Sequence, residues 1–88
     1  MSQTAILRVY PVPASASVFV DVYVSDAALL EVDLFNTLGQ QVGSYRFEPG
    51  AGRRLLEIDL SAFAEGIYTG RLSENGARVA DMKLIKRE

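Results

Sequence analysis

The sequence predicts an all-β fold: an antiparallel sandwich of immunoglobulin-like or fibronectin type III-like kind, with about seven strands. Three observations predict it. Apolar residues recur at every second position in run after run, the period of a half-buried strand. Gly, Pro and Asn-Gly signals punctuate those runs at intervals of about 8–12 residues. Helical periodicity is nearly absent.

Ala5–Tyr10 reads as a short first strand. Pro11 and Pro13 then break it, because neither can donate to a ladder. Ser17–Val24 is the clearest alternation: Val18, Val20, Val22 and Val24 share one face, and Phe19, Asp21 and Tyr23 take the other. In Ala28–Asn36, Leu30, Val32 and Leu34 face inward against Glu31 and Asp33 outward. Asn36-Thr37-Leu38-Gly39 reads as a hairpin loop with Gly39 supplying the left-handed residue. Gln40–Phe47 follows as a weaker strand, and Glu48–Gly52 reads as a plain loop. Arg54–Leu60 alternates again. Ser61–Glu65 is one helical turn capped by Ser61, a crossover between sheets. Gly66–Ser73 places Tyr68, Gly70 and Leu72 on one face. Glu74-Asn75-Gly76-Ala77 carries Asn-Gly, the strongest short hairpin signal, and Ala77–Lys86 closes the set with Ala80, Met82 and Leu84 on one face.

Eighty-eight residues are enough for one domain, spanning 1–88. Residues 1–4 read as a disordered or artificial leader. A hydrophobic fraction of 49% with 23% charged residues argues against disorder. A net charge of -2 argues against a nucleic-acid surface. No apolar run approaches the roughly 20 residues a membrane span needs. Met1–Thr4 has no signal-peptide pattern, so any export of the domain is expected to start from another segment.

The chemistry expected is sparse. Without cysteine or histidine the chain lacks thiolates, the commonest general base and the commonest transition-metal ligand. Asp21, Glu31, Asp33, Glu57 and Asp59 read as a solvated strand face. Asp21 and Asp26 lack the dense acidic loop of a calcium site. No serine has a histidine partner or sits in a nucleophile elbow. No catalytic residue, cofactor or metal is therefore expected, and an enzyme is the least favoured class. Phe19, Tyr23, Phe35, Tyr45 and Phe47 are either a partly exposed recognition stripe or are covered by a second sheet. Tyr68 is either an immunoglobulin-type tyrosine corner or a plain core aromatic.

Four motifs stand in order: Val9-Tyr10-Pro11-Val12-Pro13-Ala14-Ser15; Val32-Asp33-Leu34-Phe35-Asn36-Thr37-Leu38-Gly39-Gln40-Gln41-Val42; Ile58-Asp59-Leu60-Ser61-Ala62-Phe63-Ala64-Glu65-Gly66-Ile67-Tyr68; and Met82-Lys83-Leu84-Ile85-Lys86. The series resembles the C-terminal sorting domain, type A, of type IX secretion cargo in Bacteroidota, from about Leu7 to Lys86. Val12 departs from the family's asparagine and cannot bond its own backbone as asparagine does. The resemblance implies a domain behind an N-terminal cargo. It passes through the periplasm, is recognised by the secretion apparatus and a sortase-like peptidase at the outer membrane, and ends secreted or on the cell surface. Carried over, the motif residues are Tyr10, Pro11, Pro13, Gly39, Gly66, Tyr68, Lys83, Leu84, Ile85 and Lys86. The terminal four are either the last strand or the recognition element, and an unpaired last strand is open to edge-to-edge dimers. The alternatives are an adhesion or carbohydrate-binding module of fibronectin type III style and a structural or engineered scaffold.

Overall fold

The computed structural model describes residues 4–87. Five strands follow one another: β1 (Thr4–Tyr10), β2 (Ser17–Phe35), β3 (Gln41–Asp59), β4 (Gly66–Glu74) and β5 (Ala77–Lys86), all paired antiparallel. The all-β class is as expected, but the count is five rather than seven. The runs Ser17–Val24 and Ala28–Asn36 are two arms of β2, and Gln40–Phe47 and Arg54–Leu60 are two arms of β3.

The arms join because the ladder slips at the corners instead of stopping. Val24 pairs with Gly52, Ala28 with Gly50 and Leu30 with Phe47. From 24 to 28 β2 advances four residues while β3 advances two; from 28 to 30 β2 advances two while β3 advances three. Such bulges bend a strand and increase its twist without ending it. Glu48–Gly52, expected as a plain loop, is therefore strand. Pro49 falls among the extra residues, where its missing N–H removes no ladder bond.

Folded at these corners, the sheet lies back on itself. The first arm of β2 runs between β1 and the second arm of β3. The second arm of β2 runs between the first arm of β3 and β4, with β5 outside β4. β3 is shared by both layers and seals one side, while β1 and β5 flank the other.

The slips also set which residues face inward. Two extra residues leave the phase of β2 unchanged, so Val18, Val20, Val22, Val24, Ala28, Leu30, Val32 and Leu34 are all buried. One extra residue reverses the phase of β3: Tyr45 and Phe47 turn inward on its first arm, Leu56 and Ile58 on its second. These side chains form one cluster with Leu60, Tyr68, Leu72, Met82 and Leu84. Each fully buried Val, Leu or Ile contributes about 1.5–3 kcal/mol.

The same course gives the sandwich two poles. One holds the corners of β2 and β3, the start of β1 and the Asn75-Gly76 turn. The other gathers the ends of β1, β3 and β5, the start of β4 and the 36–40 loop. Thr4, expected in a disordered leader, opens β1 and donates from Oγ1 to Glu74 Oε2 at 2.8 Å. The rest of that expectation concerns residues 1–3, which lie outside the described residues.

Candidate functional site

The second pole is built around the connection from β3 to β4. The helical turn expected at Ser61–Glu65 is a hydrogen-bonded turn, in which Phe63 N donates to Leu60 O at 3.0 Å. The cap is Asp59 rather than Ser61: Asp59 Oδ1 accepts from Ser61 N at 2.9 Å. Asp59 forms an Asx-type turn over the two residues that follow it. Ser61 side-chain and backbone hydrogen bonds hold the Asp59 carboxyl below its ordinary range.

Three side chains from three strands clamp the carbonyls of this turn. Tyr68 donates from its hydroxyl to Ala64 O at 2.6 Å. That bond makes Tyr68 a tyrosine corner. Lys86 Nζ donates to the adjacent carbonyl, Phe63 O, at 2.8 Å. Tyr45 donates from its hydroxyl to Asp59 O at 2.9 Å. Burial first, and the Asp59 carboxylate second, push the Tyr45 hydroxyl pKa up. The Phe63 ring wedges between these groups, 5.8 Å from the Tyr68 ring. It closes on Gly43, where an added Cβ would lie 3.1 Å from Phe63 Cζ. A larger residue there would have to push the Phe63 ring back by a few tenths of an ångström.

The segment after β1 is tied in by its backbone. Ala14 N donates to Ile85 O at 2.8 Å and Arg87 N donates to Ala14 O at 2.7 Å, a parallel bridge to Lys86. Leu60 N donates to Ala16 O at 2.7 Å. Val12 is exposed and contributes no asparagine-type bond, yet the two prolines still deliver Ala14 to β5.

The motif residues therefore share one pole but not one site. Tyr68 pairs with Leu84, Ile67 with Ile85, and Gly66 with Lys86. Lys86 and Leu84 are buried, whereas Lys83 is exposed and makes no ion pair among the described residues. Tyr10 packs on Phe19 at 5.9 Å under the Arg8 guanidinium, and Pro11 and Pro13 are exposed. Gly39, at φ 82°, completes the 36–40 loop, where Asn36 Oδ1 accepts from Leu38 N and Gln40 N at 3.0 Å each. The sequence singled out Tyr45 only as one of five aromatics, and the roles of Phe63 and Gly43 in the turn went unrecognised. Their signal was present only as an aromatic or glycine in a strand or turn, which many sandwiches share.

Two further expectations change. The five aromatics do not form one stripe: Tyr45 and Phe47 pack on the core, Phe19 and Phe35 are half-buried, and Tyr23 is exposed. Asp21 is not solvated; it is 5% exposed beneath the Arg53 guanidinium, which reaches it from Nε at 3.0 and 3.2 Å and from Nη2 at 2.5 Å. β2 is the middle strand of its layer, so cross-strand neighbours on both sides shield even an outward carboxylate. The hydrogen bond from Arg53 holds the Asp21 carboxyl below its ordinary value. Among the described residues, no three acidic side chains converge in a metal-binding group.

This pole joins, in one hydrogen-bonded unit, the proline-flanked opening, the G-x-Y corner and the terminal lysine strand. A family model described as the secretion system C-terminal sorting domain matches residues 8–87. The chain belongs to this family, the sorting domains of type IX secretion. Among solved structures, the sorting domain is similar to an immunoglobulin-like protein from Pseudomonas aeruginosa. Their identity is 10%, the alignment covers 97% of each chain, and the TM-score is 0.55. At that identity the likeness speaks for the fold alone, and it places the sorting domain among immunoglobulin-like sandwiches. No curated protein matches the chain.

Proposed function

We propose that this domain acts by being recognised: it directs a cargo joined to its N-terminal side through the type IX apparatus across the outer membrane, and it catalyses nothing itself. The family match over residues 8–87 carries the reading. The geometry supports it in two ways. β1 begins at the pole opposite the motif residues, so the described chain enters the domain at the end away from them. The clamp on the β3–β4 turn spends its polar groups on backbone carbonyls, an arrangement that fixes the shape of the turn. The partners in this reading are the outer-membrane secretion apparatus and a sortase-like peptidase. The route runs through the periplasm to the medium or the cell surface.

The test is a fluorescent protein carrying an N-terminal export signal, fused ahead of the domain. It is expressed in a type IX-competent bacterium and in a strain lacking the translocon. Fluorescence outside the competent strain only is the expected result. Retention in the periplasm of both strains would overturn the reading.

A further inference from the structure

Three strand edges carry no partner strand among the described residues: the outer edges of β1, β3 and β5. An open edge is a row of backbone donors and acceptors, and only another extended chain satisfies the whole row. Two of the three are broken. β1 slips register between Ile6 and Arg8, and β3 does so at its corner and again near Gln41. β5 is regular from Ala80 to Lys86, its one irregularity lying opposite Leu72 and Ser73.

The Ala14 bridge shows which groups of β5 point outward. Ile85 O and Arg87 N face Ala14. By the alternation of an antiparallel ladder, the N–H and C=O of Asp81 and Lys83 point to the same edge, while those of Met82 and Leu84 point to β4. Pro11 and Pro13 stop the segment before Ala14 from continuing that pairing. The edge is thus already paired at its end and open at Asp81 and Lys83.

Beside the open stretch, Ile67, Thr69, Asp81, Met82 and Lys83 line a shallow hollow. Asp81 is engaged by Arg71 and Arg78. Lys83 has no such partner among the described residues, so the charge left to satisfy on this edge is positive. A strand laid here alternates its side chains between the Lys83 face and the Met82 face. A second copy fits poorly. Antiparallel pairing of two β5 edges about Met82 would carry each strand's start past the partner's Ile85, where Ala14 already sits.

We infer that the open edge of β5 at Asp81 and Lys83 is a docking edge for one extended strand of a partner protein, with a carboxylate set against Lys83 and an apolar residue toward Met82. The inference rests on the sorting reading in taking that partner from the secretion apparatus.

Proline at 83 removes the outward N–H without touching the β4 ladder, whereas alanine removes only the charge. In the secretion assay, Lys83→Ala is expected to lose up to about fivefold, the worth of one exposed ion pair. Lys83→Pro is expected to lose about tenfold or more while melting as the parent does. Export of a folded Lys83→Pro at the parent level overturns the inference. The purified domain supplies a readout independent of export: amide NMR during titration with a blocked pentapeptide of alternating valine and glutamate at millimolar concentration. Shifts centred on Asp81 and Lys83 support the edge, and their absence overturns it. This arm decides if Lys83→Pro fails to fold, and also if the unsubstituted domain is not exported, a result that would sink the sorting reading alone. A dimer seen by light scattering and lost in Lys83→Pro would give the edge to a second copy and overturn the assignment to a partner.

Discussion

Lys83 and Lys86 lie three residues apart in the last strand and read alike in sequence, but the fold predicts opposite outcomes for replacing them. Lys86 is 4% exposed, and its ammonium donates to Phe63 O at 2.8 Å. Lys86→Met keeps the aliphatic stem and deletes the donor. A hydrogen bond from a charged group contributes about 1.5–3 kcal/mol, and the carbonyl left behind lies in a part-buried site. With a urea slope of about 1 kcal/mol/M, at the low end for a small domain, the unfolding midpoint should fall by about 1.5–3 M. Lys83→Met removes an exposed ammonium that makes no ion pair among the described residues, and should change stability by less than about 0.5 kcal/mol. Urea unfolding of both variants, followed by far-ultraviolet circular dichroism with the slope checked for constancy, reads the contrast. A loss below about 0.5 kcal/mol for Lys86→Met would refute the clamp as a source of stability. A loss for Lys83→Met equal to that for Lys86→Met would refute the assignment of the two lysines to different faces.

Other outcomes follow from the core, the turn and the shielded carboxylate. Val20→Ala, at a fully buried position in β2, should cost about 2–4 kcal/mol by thermal or urea unfolding; a change under about 0.5 kcal/mol would mean that Val20 faces solvent. Gly76→Ala should cost about 1 kcal/mol, because Gly76 sits at φ 85° in the β4–β5 turn, and an unchanged melting temperature would contradict that backbone. The Asp21 pKa is depressed below 3.8, so its contribution is full above that value and is lost as pH falls through the lower folded value. The stability difference between the parent and Asp21→Asn should accordingly be constant near neutral pH and shrink in strong acid. A difference that grows on acidification would reverse the assigned role of Arg53.

Much of the fold was legible because strands obey a local rule. The even-numbered valines and leucines from Val18 to Leu34 announce one buried face, and the Asn75-Gly76 and Gly39 turns announce reversals, without reference to the rest of the chain. The ordered motifs, from the Pro11–Pro13 opening to the terminal lysines, likewise pointed to the family directly. The number of strands was not local. Whether Ser25–Ala27 and Glu48–Gly52 end a strand or bend it depends on the partner across the ladder, and the slips between Val24, Ala28 and Leu30 exist only in the pairing. The outward phase of Asp21 was correct, but its burial follows from Arg53 lying beside it in the folded sheet. At the motif pole, the sequence determined the residue types: a glycine, an aromatic, a lysine. Only the tertiary structure decided that Tyr45, Tyr68 and Lys86 meet on consecutive stretches of one turn while Lys83 looks away. The physical reason is range. Alternation and turn chemistry are settled within a few residues, whereas a clamp joining residue 45 to 59 and residue 86 to 63 requires the sheet to fold back on itself first.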